Sequence, residues 1–270
     1  MYENYYGLKE KPFNMTPDPK FFFASVKHNE ALDSLIYAIG ERKGFVVITG
    51  EIGAGKTTIC RTLLNKLASK TKTALITNTF VNAKELLMNI LDEFDIEYKP
   101  ASKGRLLAIL NNFLIEQLSR NANVALIIDE AQNLTPAVLE EIRMISNLET
   151  EREKLIQIVL MGQPQLIKKL TLPRLEQLRQ RIIVHYHLNP LNKEETFDYI
   201  KHRLKLTSNN GADFFTDEAL ELIYQFSRGT PRLVNLICDS ALLSGYAQDI
   251  KQIDDSLMKE VISESPLYNF

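Results

Sequence analysis

The sequence predicts an α/β protein in which a parallel sheet is flanked by helices and followed by a small helical domain. Three observations carry this expectation. Short β-branched or apolar runs at residues 45–49, 73–77, 124–128, 155–161 and 182–188 alternate with helical patterns, as a parallel sheet built by crossover connections requires. The run Val124-Ala125-Leu126-Ile127-Ile128 is apolar at every position, which suits a strand covered on both faces rather than one. After Leu188 the strand signal stops and only helical periodicity continues.

Each element follows from its own residues. Residues 1–27 combine Pro12, Pro17 and Pro19 with Tyr5, Tyr6, Phe13, Phe21, Phe22 and Phe23, so regular helix is excluded and an ordered, adhesive arm lying on the main domain is expected. Ala31, Leu32, Leu35, Ile36 and Ile39 recur at helical spacing over residues 28–42, and Gly40 and Gly44 end that helix. Helices are expected at 56–67, 83–94 and 103–119, and another begins at Pro136, with Val138, Leu139, Ile142 and Ile145 on its inward face. Beyond Pro190, helical patterns at 193–206, 216–226, 231–246 and 254–263 are joined by short turns such as Asn209-Asn210-Gly211. The organisation is an arm at 1–27, an α/β domain at 28–190 and a helical domain at 191–270.

Composition removes several classes of function. With 45% hydrophobic and 24% charged residues in 270, the chain is neither disordered nor a small disulfide scaffold. A net charge of −2 argues against a surface given over to nucleic acid. Cys60 and Cys238 sit among apolar neighbours and read as core thiols. No apolar stretch approaches the roughly 18 residues of a membrane span, and the start Met1-Tyr2-Glu3-Asn4 lacks the basic-then-apolar design of a signal peptide, so a cytoplasmic protein is expected.

Between the first strand and the next helix lies Gly50-Glu51-Ile52-Gly53-Ala54-Gly55-Lys56-Thr57, a match to G-x-x-x-x-G-K-[ST] in the strand–loop–helix setting that the motif needs. Its glycines let successive backbone N–H groups turn toward a β-phosphate, and the following helix presents its positive end. Lys56 is expected to reach the β- and γ-phosphates, Thr57 to supply a hydroxyl to Mg²⁺, and Thr58 to close the nucleotide-binding segment with no role of its own beyond the helix.

At the end of the 124–128 strand stand Asp129 and Glu130. Open α/β sheets bind ligands at that carboxyl edge. Asp129 suits the shell of Mg²⁺ as a hard oxygen donor, and Glu130 is placed to deprotonate an attacking water. The competing reading is that the two acids cap the next turn. A guanine-reading N-K-x-D motif is missing, since Asn192-Lys193-Glu194-Glu195 ends in the wrong acid, so ATP is favoured over GTP.

The 155–161 strand ends at Gly162-Gln163, whose amide is placed to sense a γ-phosphate or else is ordinary loop polarity. Gly229-Thr230-Pro231-Arg232 opens a helix of the second domain and carries a guanidinium. With Gly50 to Thr57, Asp129-Glu130-Ala131-Gln132, Gln163 at the sensor-1 place and Arg232 at the sensor-2 place, the sequence resembles the AAA+ ATPases. More narrowly it resembles the ExeA type (general secretion pathway protein A) and its short relatives of MSHA pilus biogenesis, the MshM kind. That resemblance rests on Tyr6-Gly7-Leu8, Pro12-Phe13, Pro17-Asp18-Pro19 through Phe23, Ser146-Asn147-Leu148-Glu149-Thr150 and Gly162-Gln163-Pro164-Gln165-Leu166.

The resemblance implies an ATP-hydrolysing P-loop domain with a helical lid, and an ATP-dependent homo-oligomer that assembles or remodels a secretion or pilus apparatus. It implies too that the arm helps enclose adenine, with Phe13, Phe21 and Phe23 as candidates beside simple packing. In AAA+ relatives the segment before the last strand presents an arginine to the neighbouring subunit, which points first to Arg179, then to Arg181 and Arg174, with surface ion pairing as the alternative. The membrane span and cell-wall-binding region of longer ExeA-type proteins are not carried over, so any inner-membrane association is expected through a partner.

The rival reading is a nucleic-acid-associated AAA+ ATPase such as a transposition regulator or helicase loader. DNA is the less favoured partner, with Lys168-Lys169 and Lys201-His202-Arg203 as its only basic groups of note. His185 and His187 share one strand face and have the spacing of metal ligands, but no third ligand appears, so a structural pair is expected. The charges from Glu149 to Lys154 read as a solvated turn.

Overall fold

The structure is a computed structural model that describes residues 1–67, 71–151, 153–208 and 213–265; the expected turn at 209–211 lies outside them. Two compact units emerge, one of residues 26–52 and 59–188, the other of residues 1–25, 53–58 and 189–270.

The larger unit holds a five-stranded sheet in the order β2-β3-β4-β1-β5, with β1 at Phe45–Gly50, β2 at Thr71–Ile76, β3 at Asn123–Ile128, β4 at Gln157–Gly162 and β5 at Ile182–Leu188. All pairings are parallel. The apolar runs of β1, β3 and β4 occupy the centre, where every side chain is covered, while β2 and β5 alternate in burial as edge strands do. One face carries Val47, Leu126, Ile158 and Leu160 in a core shared with α4 (Ala83–Glu93), α5 (Lys103–Ser119) and α6 (Pro136–Ile145). On the opposite face α2 (Val26–Gly40) lies across the sheet and buries Ala31, Leu32, Leu35 and Ile39. Helix starts are set locally: Asn82 and Glu85 form a capping box for α4, and Thr135 with Pro136 opens α6.

The smaller unit packs α9 (Lys193–Thr207), α10 (Asp217–Ser227), α11 (Pro231–Ala247) and α12 (Asp255–Glu264) around a separate core. Here the arm departs from expectation. Residues Tyr2–Tyr6 form a short helix, α1, and Pro19–Phe21 a 3₁₀ turn, because the prolines fall after the first and at the opening of the second. Tyr2, Tyr6, Leu8 and Phe13 enter the core of the helical unit rather than covering the sheet. Tyr2 donates to Asp239, Tyr6 donates to the Ile250 carbonyl at 2.8 Å, and the Lys9 N–H reaches the Thr207 carbonyl at 2.8 Å. Cys60 and Cys238 are buried free thiols, and burial pushes Cys60 up to about 12.

Candidate nucleotide site at the carboxyl edge of the sheet

Because β1, β3 and β4 are parallel, their carboxyl ends leave one edge of the sheet, and pairings of Thr49 with Gly162 and of Ile128 with Leu160 set those ends side by side. The loop from Gly50 through Gly55, the acids Asp129 and Glu130, and Gln163 all depart from that edge.

The loop passes directly from β1 into α3 (Lys56–Leu67). Gly53 and Gly55 take φ of 81° and 97°, the left-handed values that turn consecutive N–H groups to one side and that other residues rarely adopt. Ala54 and Lys56 are buried, whereas Glu51 and Ile52 are exposed. Thr57 and Thr58 complete the first turn of α3 and are half-buried. The Gly53 carbonyl accepts the Arg232 N–H at 3.3 Å, so the backbone that opens α11 adjoins the loop while the Arg232 side chain is exposed.

Asp129 is buried, its N–H donates to the Ile76 carbonyl at 3.0 Å, and its Oδ1 accepts the Glu130 N–H at 2.9 Å. Glu130 adopts φ 51° and ψ 36°, an uncommon left-handed conformation for a glutamate, and opens the 3₁₀ turn Ala131–Asn133 without capping it through its side chain. Its carboxylate is engaged instead by two amides: Oε2 accepts from Gln132 Nε2 at 2.5 Å and from Gln163 Nε2 at 3.4 Å. Its carbonyl accepts the Thr79 hydroxyl at 3.3 Å, and Asn133 in turn donates to that hydroxyl at 3.3 Å. Gln132, Thr79 and Asn133 received no role from sequence reasoning. The available signal was the position of Gln132, two residues after the acid pair.

The candidate arginines separate. Arg179 ends the short helix α8 (Glu176–Arg179), is exposed and forms no ion pair among the described residues, and Arg174 is likewise exposed in the turn Pro173–Leu175. Arg181 is half-buried and donates to Ser146 Oγ at 2.8 Å, with burial and neighbouring Arg143 holding its pKa below the ordinary value. The aromatic candidates are occupied by packing. Arg203 lies over the Phe21 ring at 4.6 Å, Phe13 meets Phe215 edge-on at 6.3 Å, and Phe23 contacts Tyr199 and His202.

The weaker signals also resolve into internal bonds. Lys169, on α7 (Gln165–Leu170), donates to the carbonyls of Gln132 at 2.5 Å and Leu134 at 2.6 Å. Arg203 is buried and donates to the Tyr199 hydroxyl at 2.7 Å, whereas Lys168 and Lys201 of the same two basic groups are exposed. Lys154 pairs with Glu149. His185 Nε2 and His187 Nδ1 both meet Thr49 Oγ1, at 3.0 and 2.9 Å, and no metal-binding group of three or more His, Cys, Asp or Glu occurs among the described residues. Nor, among them, is any helix long and apolar enough to cross a membrane.

Known proteins match both the sequence and this architecture. The AAA domain family matches residues 39–170. General secretion pathway protein A of Aeromonas hydrophila is 41% identical over 254 residues, which cover 94% of this chain and 46% of that protein. The chain thus spans about half the length of that relative. Among solved structures, the Aeropyrum pernix ORC2 protein in ADPNP-ADP complexes superposes with a TM-score of 0.72 at 18% identity, covering 96% of this chain and 73% of that one. The Thermotoga maritima RuvB Holliday junction branch migration motor gives 0.62 at 18% identity, covering 93% and 72%. At these identities the two structures speak for fold alone, and the five-stranded parallel sheet followed by helices is the fold they share. Residues 39–170 thus match an AAA domain, and over 94% of its length the chain is similar to general secretion pathway protein A.

Proposed function

We propose that the chain is an ATPase whose turnover drives assembly or remodelling of a secretion or type IV, MSHA-like pilus apparatus. The observation that carries the ATPase reading is the shared sheet edge, from which the glycine loop, Asp129, Glu130 and Gln163 all depart. In this reading residues 28–190 form the ATPase domain and 191–270 its helical lid. The secretion assignment rests on the 41% identity to general secretion pathway protein A.

Each residue has a distinct task. The N–H groups from Gly50 to Thr58 and the Lys56 ammonium hold the β- and γ-phosphates. A hydroxyl at Thr57 and a carboxylate at Asp129 are the hard oxygen donors that fit Mg²⁺, a cation that keeps several waters and needs few protein ligands. When bound there, Mg²⁺ neutralises charge on the phosphate oxygens. Glu130 accepts a proton from water as its oxygen bonds to the γ-phosphorus and the bond to the β–γ bridging oxygen breaks. Gln163 orients that water, and Arg232 contributes positive charge to the phosphates.

Lys56→Ala is expected to abolish nucleotide binding. Glu130→Gln should bind ATP normally and fail to hydrolyse it, because it leaves the phosphate-binding loop intact while removing the base. Equal loss of binding in both variants, measured with a fluorescent nucleotide, would overturn this division. With Lys169 and Arg203 committed to internal bonds, the two basic groups leave only Lys168 and Lys201 exposed on a chain of net charge −2, which favours a protein client over DNA. ATPase activity should accordingly be insensitive to added DNA, and DNA stimulation that declines steeply with salt would reverse that choice. The chain is read as cytoplasmic, with any inner-membrane association made through its partner.

A further inference from the structure

Gln132 touches the two neighbouring groups of the site at once. Its Nε2 donates to Glu130 Oε2 at 2.5 Å while its Oε1 accepts the Gln163 N–H at 3.0 Å. Its position is fixed from both sides. Lys169 Nζ donates to the Gln132 carbonyl at 2.5 Å and to the Leu134 carbonyl at 2.6 Å, tying the turn to α7. Across from it, Gly162 leaves room for the amide: a Cβ at that position would stand 2.8 Å from Gln132 Oε1 and 3.3 Å from the Gln132 nitrogen. Glu130, with φ 51° in a backbone conformation that glutamate seldom adopts, does not cap its own turn through its side chain, and its Oε2 is held by Gln132 Nε2 and, at 3.4 Å, by Gln163 Nε2.

We infer that Gln132 is a positioning residue for the base: it ties one carboxylate oxygen of Glu130 to the end of β4, leaving the other for the attacking water. The inference rests on the reading of Glu130 as general base. A side chain at 132 must donate at one end and accept at the other to couple Glu130 to the Gln163 backbone, and among residues of this length only glutamine does both. Glutamate keeps the acceptor and loses the donor; methionine keeps the length and loses both.

The test compares the full chain with Gln132→Glu, Gln132→Met and Glu130→Gln, measuring kcat and, separately, affinity for a fluorescent ATP analogue. Both Gln132 variants are expected to lower kcat by about 10- to 100-fold with nucleotide affinity unchanged, since misplacing a base wastes much of its effect. Should Gln132→Glu turn over like the parent, the amide only secures the Gln163 loop and the proposal fails. It fails equally if either Gln132 variant keeps or raises kcat, or loses nucleotide affinity along with kcat. Glu130→Gln separates the two levels: its retained turnover would remove the base itself, whereas a dead Glu130→Gln beside fully active Gln132 variants would remove only the positioning role.

Discussion

Gly229 shows how much one residue without a side chain can fix. Its φ of 72° follows the left-handed Arg228 at 48°, and its carbonyl accepts the Leu191 N–H at 2.9 Å. The approach is so close that a Cβ on Gly229 would fall on the Leu191 carbonyl, and Leu191 is itself buried in the helical core. Gly229→Ala must therefore both strain a left-handed alanine and push Leu191 out, an expected loss of about 2–4 kcal/mol. Denaturant unfolding measures it, and an unchanged midpoint would mean that the 189–192 segment yields without cost. The sequence locates this glycine within Gly229-Thr230-Pro231-Arg232, but Leu191 is too far along the chain for any local pattern to announce the clash. Gln132 is a second case, since its partner Gln163 comes from another strand end.

Among the elements, the central strands were the most legible because burial on both faces leaves an unbroken apolar run at β1 and β3. The fourth strand starts at Gln157, not at 155, since Leu155 and Ile156 belong to the approach to the sheet. Helices α1, α7 and α8, of 5, 6 and 4 residues, are too short to show a period and went unforeseen. Strand β5 lies at the sheet edge, and its pairing of Thr49 with His187 and of Val47 with His185 brings both imidazoles to the Thr49 hydroxyl. Burial, and then neighbouring His187, hold the His185 pKa below its ordinary 6.5. The neutral form is thus favoured in the fold, so the stabilisation is complete above 6.5 and is lost as pH falls through the lower, folded pKa. The melting temperature should fall between about pH 7 and pH 5, and less steeply in His185→Gln, which cannot titrate. Parallel slopes for the two proteins in scanning calorimetry would exclude His185 as the source.

At the scale of the whole molecule, the glycine loop between β1 and α3 and the acid pair at the end of β3 are readable as a candidate site because each is a contiguous stretch whose chemistry depends on residue type and spacing, whereas a residue lent to a neighbouring subunit would be written in no contiguous motif. Three arginines precede the last strand, and their surroundings differ. Arg181 is committed to Ser146, while Arg179 and Arg174 extend from short helical turns into solvent. Arg179 is therefore the proposed finger that a second copy receives at its γ-phosphate. A guanidinium there stabilises charge in phosphoryl transfer and is worth about 10³-fold or more in rate. Specific activity should then rise with protein concentration, and ATP should promote a larger species in light scattering. Arg179→Ala and Lys56→Ala should each be nearly inactive alone, the first for want of a donated arginine, the second for want of bound nucleotide. When they are mixed, an Arg179→Ala subunit with an intact loop can sit beside a Lys56→Ala subunit with an intact arginine, so part of the activity should return. Absence of recovery on mixing counts against Arg179, and full activity in the combined Arg174→Ala, Arg179→Ala and Arg181→Ala protein would show that no arginine of this segment completes a neighbour's site.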